Sequence, residues 1–424
     1  MWPYLFVSAL SEPIRRMGVA RRVRNGREDA ERARERFGYA SEGRPTGDVI
    51  WFHAGGERQS LALMPLLTRL GKELPDVHFL LTTTTYGSLK AIQSTGLPPR
   101  VTHQYAPVDA PGPIRRFLDH WRPSAGIHAE LDLWPRLIHT AAQRDIPQAL
   151  INTRITPKEA RARRRYGKIF AEMLSHFHRI LLQDEASLAE FLKLGADPER
   201  SAVAGSLKGA ADPLPDIADE RAQLSAAIGT RPRWLAAGTD PREEAVLFKA
   251  HDIAREGEPG LILFIAPDSP TQAKATTAHA RKLFEDVALR SAGDPITRTT
   301  AVYVIDAYGE MGLWHRLCPV SFIGQSLNVP GDRLRGRNPF DAASVDALIL
   351  HGPSVDYYSD DYTALSAAAG TVEVNSPERI AKTVLRAQDP AWRIPYIGGA
   401  RKVMQDGRQA LRDTVQAVMD TYID

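Results

Sequence analysis

Asp48-Val49-Ile50-Trp51-Phe52, then His53-Ala54-Gly55-Gly56-Glu57-Arg58-Gln59-Ser60, then the helically spaced Leu61 to Leu70: these residues decide the fold. The first five read as a buried strand, the glycine-containing polar stretch as a loop, and the last as a helix. The same rhythm returns at residues 77–83, 126–128, 148–151 and 179–182. Strands alternating with helices imply βαβ units and a parallel sheet.

Around residues 213–217 a Pro/Asp-rich stretch interrupts the pattern and reads as a linker. Beyond it the alternation restarts at residues 233–237, 261–265, 301–305, 320–323 and 347–350. The expected architecture is α/β with two Rossmann-like domains, residues 1–212 and 213–424. Open parallel sheets bind ligands at the carboxyl ends of their strands, so a cleft between the two halves is the expected site.

The 424 residues are 43% hydrophobic and 25% charged, ordinary globular composition that excludes a disordered chain or a disulfide-stapled mini-protein. Lys and Arg outnumber Asp and Glu by 54 to 51, a net charge of +3, which gives no basis for nucleic-acid binding. The one cysteine, Cys318, cannot form an internal disulfide. No metal-binding spacing of histidines and no G-x-S-x-G elbow is present. No apolar run approaches the roughly 18 residues needed to span a bilayer. Residues 1–10 are apolar apart from Ser8 and precede Arg15, Arg16, Arg21, Arg22, Arg24 and Arg27, the reverse of a signal peptide. Two readings stand: a segment resting on an anionic membrane surface, or a basic helix packed on its own domain.

Several strand ends deliver candidate chemistry. In the first loop Gly55 and Gly56 let backbone N–H groups approach a ligand, His53 borders it, and Glu57 is either a general base or plain surface. Glu130 and Asp132 sit two apart past a strand, so on extended backbone they share a side; one of them is also placed to cap the helix near Trp134. Asn152 and Arg154 follow another strand, as do Ser206 and Lys208, and the two cations suit an anionic ligand. In the second half Gly238-Thr239, Gly309-Glu310 and Gly324-Gln325-Ser326 repeat the strand-then-small-residue arrangement, with N–H groups able to cradle a phosphate. Asn338-Pro339-Phe340-Asp341 has the form of a helix start; Asp341 either serves that start or holds ribose hydroxyls.

Taken in order, these motifs resemble the 3-deoxy-D-manno-octulosonic acid (Kdo) transferases of lipopolysaccharide biosynthesis, from about Arg36 to about Arg379. The carriers are Trp51-Phe52-His53-Ala54 with Pro65; Leu81-Thr82-Thr83-Thr84-Thr85 with Gly87-Ser88; Gln104 through Asp109; Glu130 through Pro135; Asn152-Thr153-Arg154; Gly205-Ser206-Leu207-Lys208; Gly309-Glu310; and Gly336-Arg337-Asn338-Pro339. The resemblance implies a GT-B glycosyltransferase fold with the acceptor on the N-terminal domain and CMP-Kdo on the C-terminal one. It further implies inverting, metal-independent transfer to a lipid A precursor at the cytoplasmic face of the inner membrane, with no cofactor beyond the donor substrate.

Donor-side residues on this resemblance are Ser206, Lys208, Gly238, Thr239, Pro267, Gly309, Glu310, Gly324, Ser326, Asn338 and Asp341; His53, Gly55, Gly56, Asn152 and Arg154 lie on the acceptor side. The family's catalytic glutamate falls on Gln59, an amide that does not titrate near neutral pH. Glu57, Glu130 and Asp132 are the carboxylates available beside it, with Glu57 the expected substitute. Where the family carries a Thr-His pair this chain has Thr239-Asp240, and between Pro267 and Pro270 it has Asp268-Ser269 in place of Arg-His. A divergent paralogue using another sugar or acceptor, or a non-catalytic binding member, is the alternative reading.

Overall fold

Strand β1 (Val49–Ala54) is buried at every position, as a strand covered by helices on both faces must be. Its side chains alternate: Ile50, Phe52 and Ala54 enter one core layer, Val49 and Trp51 the other. On one side β1 pairs with β2 (His78–Thr83), which pairs with β3 (Val101–Tyr105). On the other side come β4 (Ala125–Ala129), β5 (Gln148–Thr153), β6 (Arg179–Leu182) and β7 (Ser201–Val203). The order is β3-β2-β1-β4-β5-β6-β7. The connections reverse direction between β1 and β4, the point where an open parallel sheet presents a crevice.

A second seven-stranded sheet repeats the design with β8 (Arg233–Thr239), β9 (Ile262–Pro267), β10 (Val287–Leu289), β11 (Val302–Val304), β12 (Val320–Ile323), β13 (Leu348–His351) and β14 (Thr371–Glu373), ordered β10-β11-β9-β8-β12-β13-β14. Trp234 and Ala236 of β8 enter one layer, Leu235 and Ala237 the other. Here the connections reverse between β8 and β12.

The computed structural model describes residues 2–210 and 212–423. They form two units, Met1–Ala210 with Gly407–Asp424, and Ala211–Asp406. The C-terminal boundary therefore differs from the one expected at 213–424. The long helix Pro390–Ile423 ends in the first unit, where Val415 and Val418 join the layer of Ile50 and Phe52. Tyr422 Oη also donates to Asp48 Oδ2 at 2.7 Å.

At the N-terminus, helices Trp2–Leu10 and Glu12–Arg24 are separated by Ser11 alone, and helical bonds run through it (Ser11 N to Val7 O, Arg15 N to Ser11 O). The inner face holds Ser8 and Val19, both buried. Tyr4 Oη donates to Asp109 Oδ2 at 2.6 Å. Trp2, Phe6, Leu10, Ile14 and Met17 are exposed, and their spacing of three or four places them along one stripe. Among the described residues no helix is long and apolar enough to cross a membrane.

Candidate functional site

In the first unit the loop between strand and helix is shorter than expected. His53 and Ala54 complete β1, and helix Glu57–Ala62 starts with Gly56 as its N-cap, leaving a Gly55-Gly56 turn. His53 is fully buried and cannot touch an acceptor; its role is to hold Asp132. Thr82 Oγ1 accepts from Trp51 Nε1 at 2.8 Å, donates to Phe52 O at 3.1 Å, and lies 2.9 Å from His53 Nδ1. With the hydroxyl proton directed at Phe52 O, His53 Nδ1 is the donor. His53 Nε2 faces Asp132 Oδ2 at 3.3 Å.

Asp132 packs tightly on the turn: a Cβ added to Gly55 would stand 2.6 Å from Asp132 Oδ2. Thr84 Oγ1 donates to the same oxygen at 3.2 Å. Burial pushes the Asp132 carboxyl upward, but His53 and Thr84 more than offset this and hold it below the usual carboxylate range. The neighbouring Gln59 folds back over its own helix start, its Oε1 2.6 Å from where a Gly56 Cβ would be. Asp132 and Gln59 thus sit over adjacent residues of one turn. Glu57 points elsewhere, its Oε2 3.5 Å from a Cβ position on Gly87, at the start of helix Tyr86–Thr95.

Glu130 and Asp132 do not share a side. Glu130 has φ 63°, so the backbone turns between them, and Glu130 Oε1 lies 3.4 Å from Asn152 Nδ2 instead. Neither caps the helix Pro135–Ala142: Asp109 accepts from Arg136 N at 3.2 Å and Leu137 N at 2.9 Å. Asn152, itself at φ 51°, accepts on Oδ1 from Leu207 N at 3.0 Å and Gln183 Nε2 at 3.2 Å, tying together the ends of β4 to β7. Non-glycine residues in the left-handed region persist where surroundings over-determine them, and such places cluster at functional sites. Ser206 Oγ accepts from Lys208 N at 3.2 Å within this first unit. Arg154 is exposed and pairs with Asp184 at 3.4 Å.

The second unit carries a cavity of about 120 Å³ at the ends of β8, β9 and β12. Gly238, Pro267, Asp268, His315, Arg337, Asn338 and Asp341 are among its lining residues. Asn338 donates from Nδ2 to Asp341 Oδ1 at 3.0 Å and accepts from Phe340 N at 3.1 Å. It thereby serves the start of the short helix Phe340–Ala343 while Asp341 lines the cavity. Burial raises the Asp341 carboxyl to about 6, against the opposing pull of Arg337 and Asn338. Burial lowers His315 to about 4, with its Nδ1 2.9 Å from Ser321 Oγ.

The turn after β12 is closed to a phosphate by the protein itself. The amides of Gln325 (2.6 Å), Ser326 (2.8 Å) and Leu327 (2.8 Å) all donate to the buried Glu243 carboxylate, so that nest is already filled from within. Gly324 is needed for close packing: its Cβ would stand 2.5 Å from Gly238 O. The Ser326 hydroxyl donates to Ile323 O at 2.6 Å and accepts from Gly352 N at 2.8 Å, a buried strand-end brace. Glu310 is held by Arg290 at 3.1 and 3.2 Å and by Trp314 Nε1 at 3.2 Å; Gly309 before it supplies the turn with φ 79°. Thr239 is fully buried. Asp240 caps helix Pro241–Gly257 and takes Arg242 at 2.8 and 3.0 Å. Among the described residues no three His, Cys, Asp or Glu side chains are placed to hold a metal ion.

A family model described as 3-deoxy-D-manno-octulosonic-acid transferase (kdotransferase) matches residues 31–211. The chain is 31% identical over 372 residues to the probable mitochondrial 3-deoxy-D-manno-octulosonic acid transferase of Arabidopsis thaliana, covering 84% of this chain and 80% of that one. It belongs to the Kdo transferase family. The Kdo transferase of Rickettsia bellii (strain RML369-C) is 28% identical over 387 residues, covering 91% of this chain and 90% of its own. Members of this family are glycosyltransferases, and the fold is GT-B: MurG of Acinetobacter baumannii superposes with a TM-score of 0.52 at 11% identity, over 88% of this chain and 99% of that one. Within this Kdo transferase, sequence reading had not singled out Asp109, Glu243 and Arg337 as site or support residues. Asp109 and Arg337 stood inside quoted motifs, but their reach across the fold leaves no trace in spacing.

Proposed function

We propose that this Kdo transferase transfers Kdo from CMP-Kdo to a hydroxyl of a lipid A precursor with inversion and without a metal ion, and that Asp132 is its base. The observation that carries the reading is Asp132 itself. Its carboxylate, favoured in the ionised form, lies on the Gly55-Gly56 turn beside Gln59, the position of the family's glutamate. As the acceptor oxygen bonds to the anomeric carbon, its proton passes to Asp132 and the bond from that carbon to the CMP phosphate oxygen breaks. CMP leaves as a phosphate monoester. The cavity of the second unit, with Asn338 and Asp341 in its wall, suits the donor. The exposed apolar stripe with its following arginines suits peripheral attachment to an anionic membrane surface.

The test follows CMP release from CMP-Kdo with a tetraacyl lipid A precursor. Asp132→Asn is expected to lower kcat by roughly 10²- to 10⁴-fold, the range for a lost general base, while Glu57→Gln leaves most of the rate. Loss in Glu57→Gln with Asp132→Asn unimpaired would move the base to Glu57. Turnover confined to another activated sugar would overturn the assigned substrate, and no nucleotide binding at all would make the chain a non-catalytic member.

A further inference from the structure

In the second unit the amides of the turn after β12 are engaged by Glu243 and the start of helix Pro241–Gly257 by Asp240. Arg337 is placed differently. Its stem crosses the end of β8 directly above Gly238, where a Cβ would stand 2.5 Å from Arg337 Cδ and 2.9 Å from Nε. Gly238 has φ 65°, so glycine suits the position on both conformational and steric grounds. The guanidinium then reaches Asp268 Oδ1 at the cavity wall. Among the described residues lining the cavity, Arg337 is the arginine or lysine. Its side chain is 41% exposed and that of Asp268 40%. A pair so open to solvent is weak, weaker than a charge-assisted, two-pronged contact between guanidinium and phosphate.

Resting on the donor reading above, we propose that Arg337 receives the donor's phosphate, and that Asp268 holds its place as an internal anion which the nucleotide displaces. The exchange is anion for anion on one guanidinium. Asn338 and Asp341, which line the same cavity, remain available for hydroxyl groups. Arg337 therefore discriminates for a phosphorylated ligand, and Asp268 sets how tightly that ligand must bind to open the pair.

The experiment is calorimetric titration of the full chain with CMP and, separately, with cytidine. Arg337→Ala is expected to weaken CMP binding roughly 10- to 100-fold, the cost of charged hydrogen bonds, and to leave cytidine unchanged. Asp268→Asn is expected to tighten CMP up to about fivefold, the release of a surface ion pair. That gain must vanish when Arg337→Ala is added, because the two act on one contact. If Arg337→Ala fails to fold, Arg337→Lys replaces it and is expected to lose part of the CMP affinity with cytidine unchanged. Equal weakening of CMP and cytidine, or an Asp268→Asn gain that survives in the double variant, overturns the proposal. Wild-type chain binding both ligands equally also overturns it while leaving the donor reading intact; binding of neither ends both.

Discussion

Asp341 is largely buried in the wall of a cavity, and its carboxyl is raised to about 6 from an ordinary value near 3.8. A carboxyl raised on folding favours the native state when protonated, so its contribution fades as pH climbs from about 4 through 6. Above that range the folded chain carries an ionised group that the unfolded chain solvates better. Asp341→Asn is therefore expected to stabilise the protein at pH 7.5 by about 1–2 kcal/mol, with the gain shrinking toward pH 4, measured by denaturant melts across that range. The same variant should bind the donor less well, the trade expected where a site holds a group against its solvation preference. The sequence placed Asp341 in the first turn of a helix capped by Asn338, and Asn338 does accept from Phe340 N while Asp341 lines the cavity. The misread residues share a cause. Gly324, Ser326 and Glu310 stand at strand ends as expected, yet the Gly324 amide donates to Ala237 O, the Ser326 hydroxyl donates to Ile323 O and the Glu310 carboxylate takes Arg290, partners that no local pattern announces.

At the scale of elements, the N-terminal pair of helices packs on its own domain, one of the two readings that the sequence left open. One face is tied down by Tyr4 on Asp109, which also caps Pro135–Ala142; the other presents Trp2, Phe6, Leu10, Ile14 and Met17. Because the tethering residues and the exposed residues are different, the surface can be altered without unpinning the helices. A chain carrying Phe6→Ser, Leu10→Ser and Ile14→Ser is expected to keep its melting temperature within a few degrees and to lose co-sedimentation with vesicles containing anionic lipid, whereas the unaltered chain pellets with them. Release of the unaltered chain from such vesicles would refute peripheral attachment. Strands with long apolar runs, such as β1, β2 and β9, were readable as elements. Others were not: β3 reads Val101-Thr102-His103-Gln104-Tyr105, a polar string buried because Glu35, Arg32, Thr83 and Trp121 supply its partners. β10 and β14 span three residues each, too few for a period to show.

For the whole molecule, the doubling of an α/β pattern about a Pro-rich break was visible along the chain, and two sheets of the same build follow from it. What could not be read was the destination of the last residues. Helix Pro390–Ile423 continues without a break that would mark a boundary, yet Val415, Ala417 and Val418 complete the first unit's core. Removing residues 407–424 is thus expected to destabilise the first unit far more than the second. In a truncated chain, limited proteolysis should digest residues 1–210 while a fragment within 212–406 survives. Adding the missing stretch as a synthetic peptide should restore protection. Digestion of both units alike, or of neither, would contradict this division of the core.

That interleaving has a consequence for how the protein is made. A polypeptide leaves the ribosome from its N-terminus, and domains usually fold in that order. Here the half emerging first lacks Val415, Ala417 and Val418 of its core until synthesis has passed residue 418. The second half, complete at residue 406, is free to fold earlier, so maturation should run backwards relative to synthesis. The nascent first half then depends on chaperones or on speed of elongation to keep its unsealed sheet from sticking to neighbours.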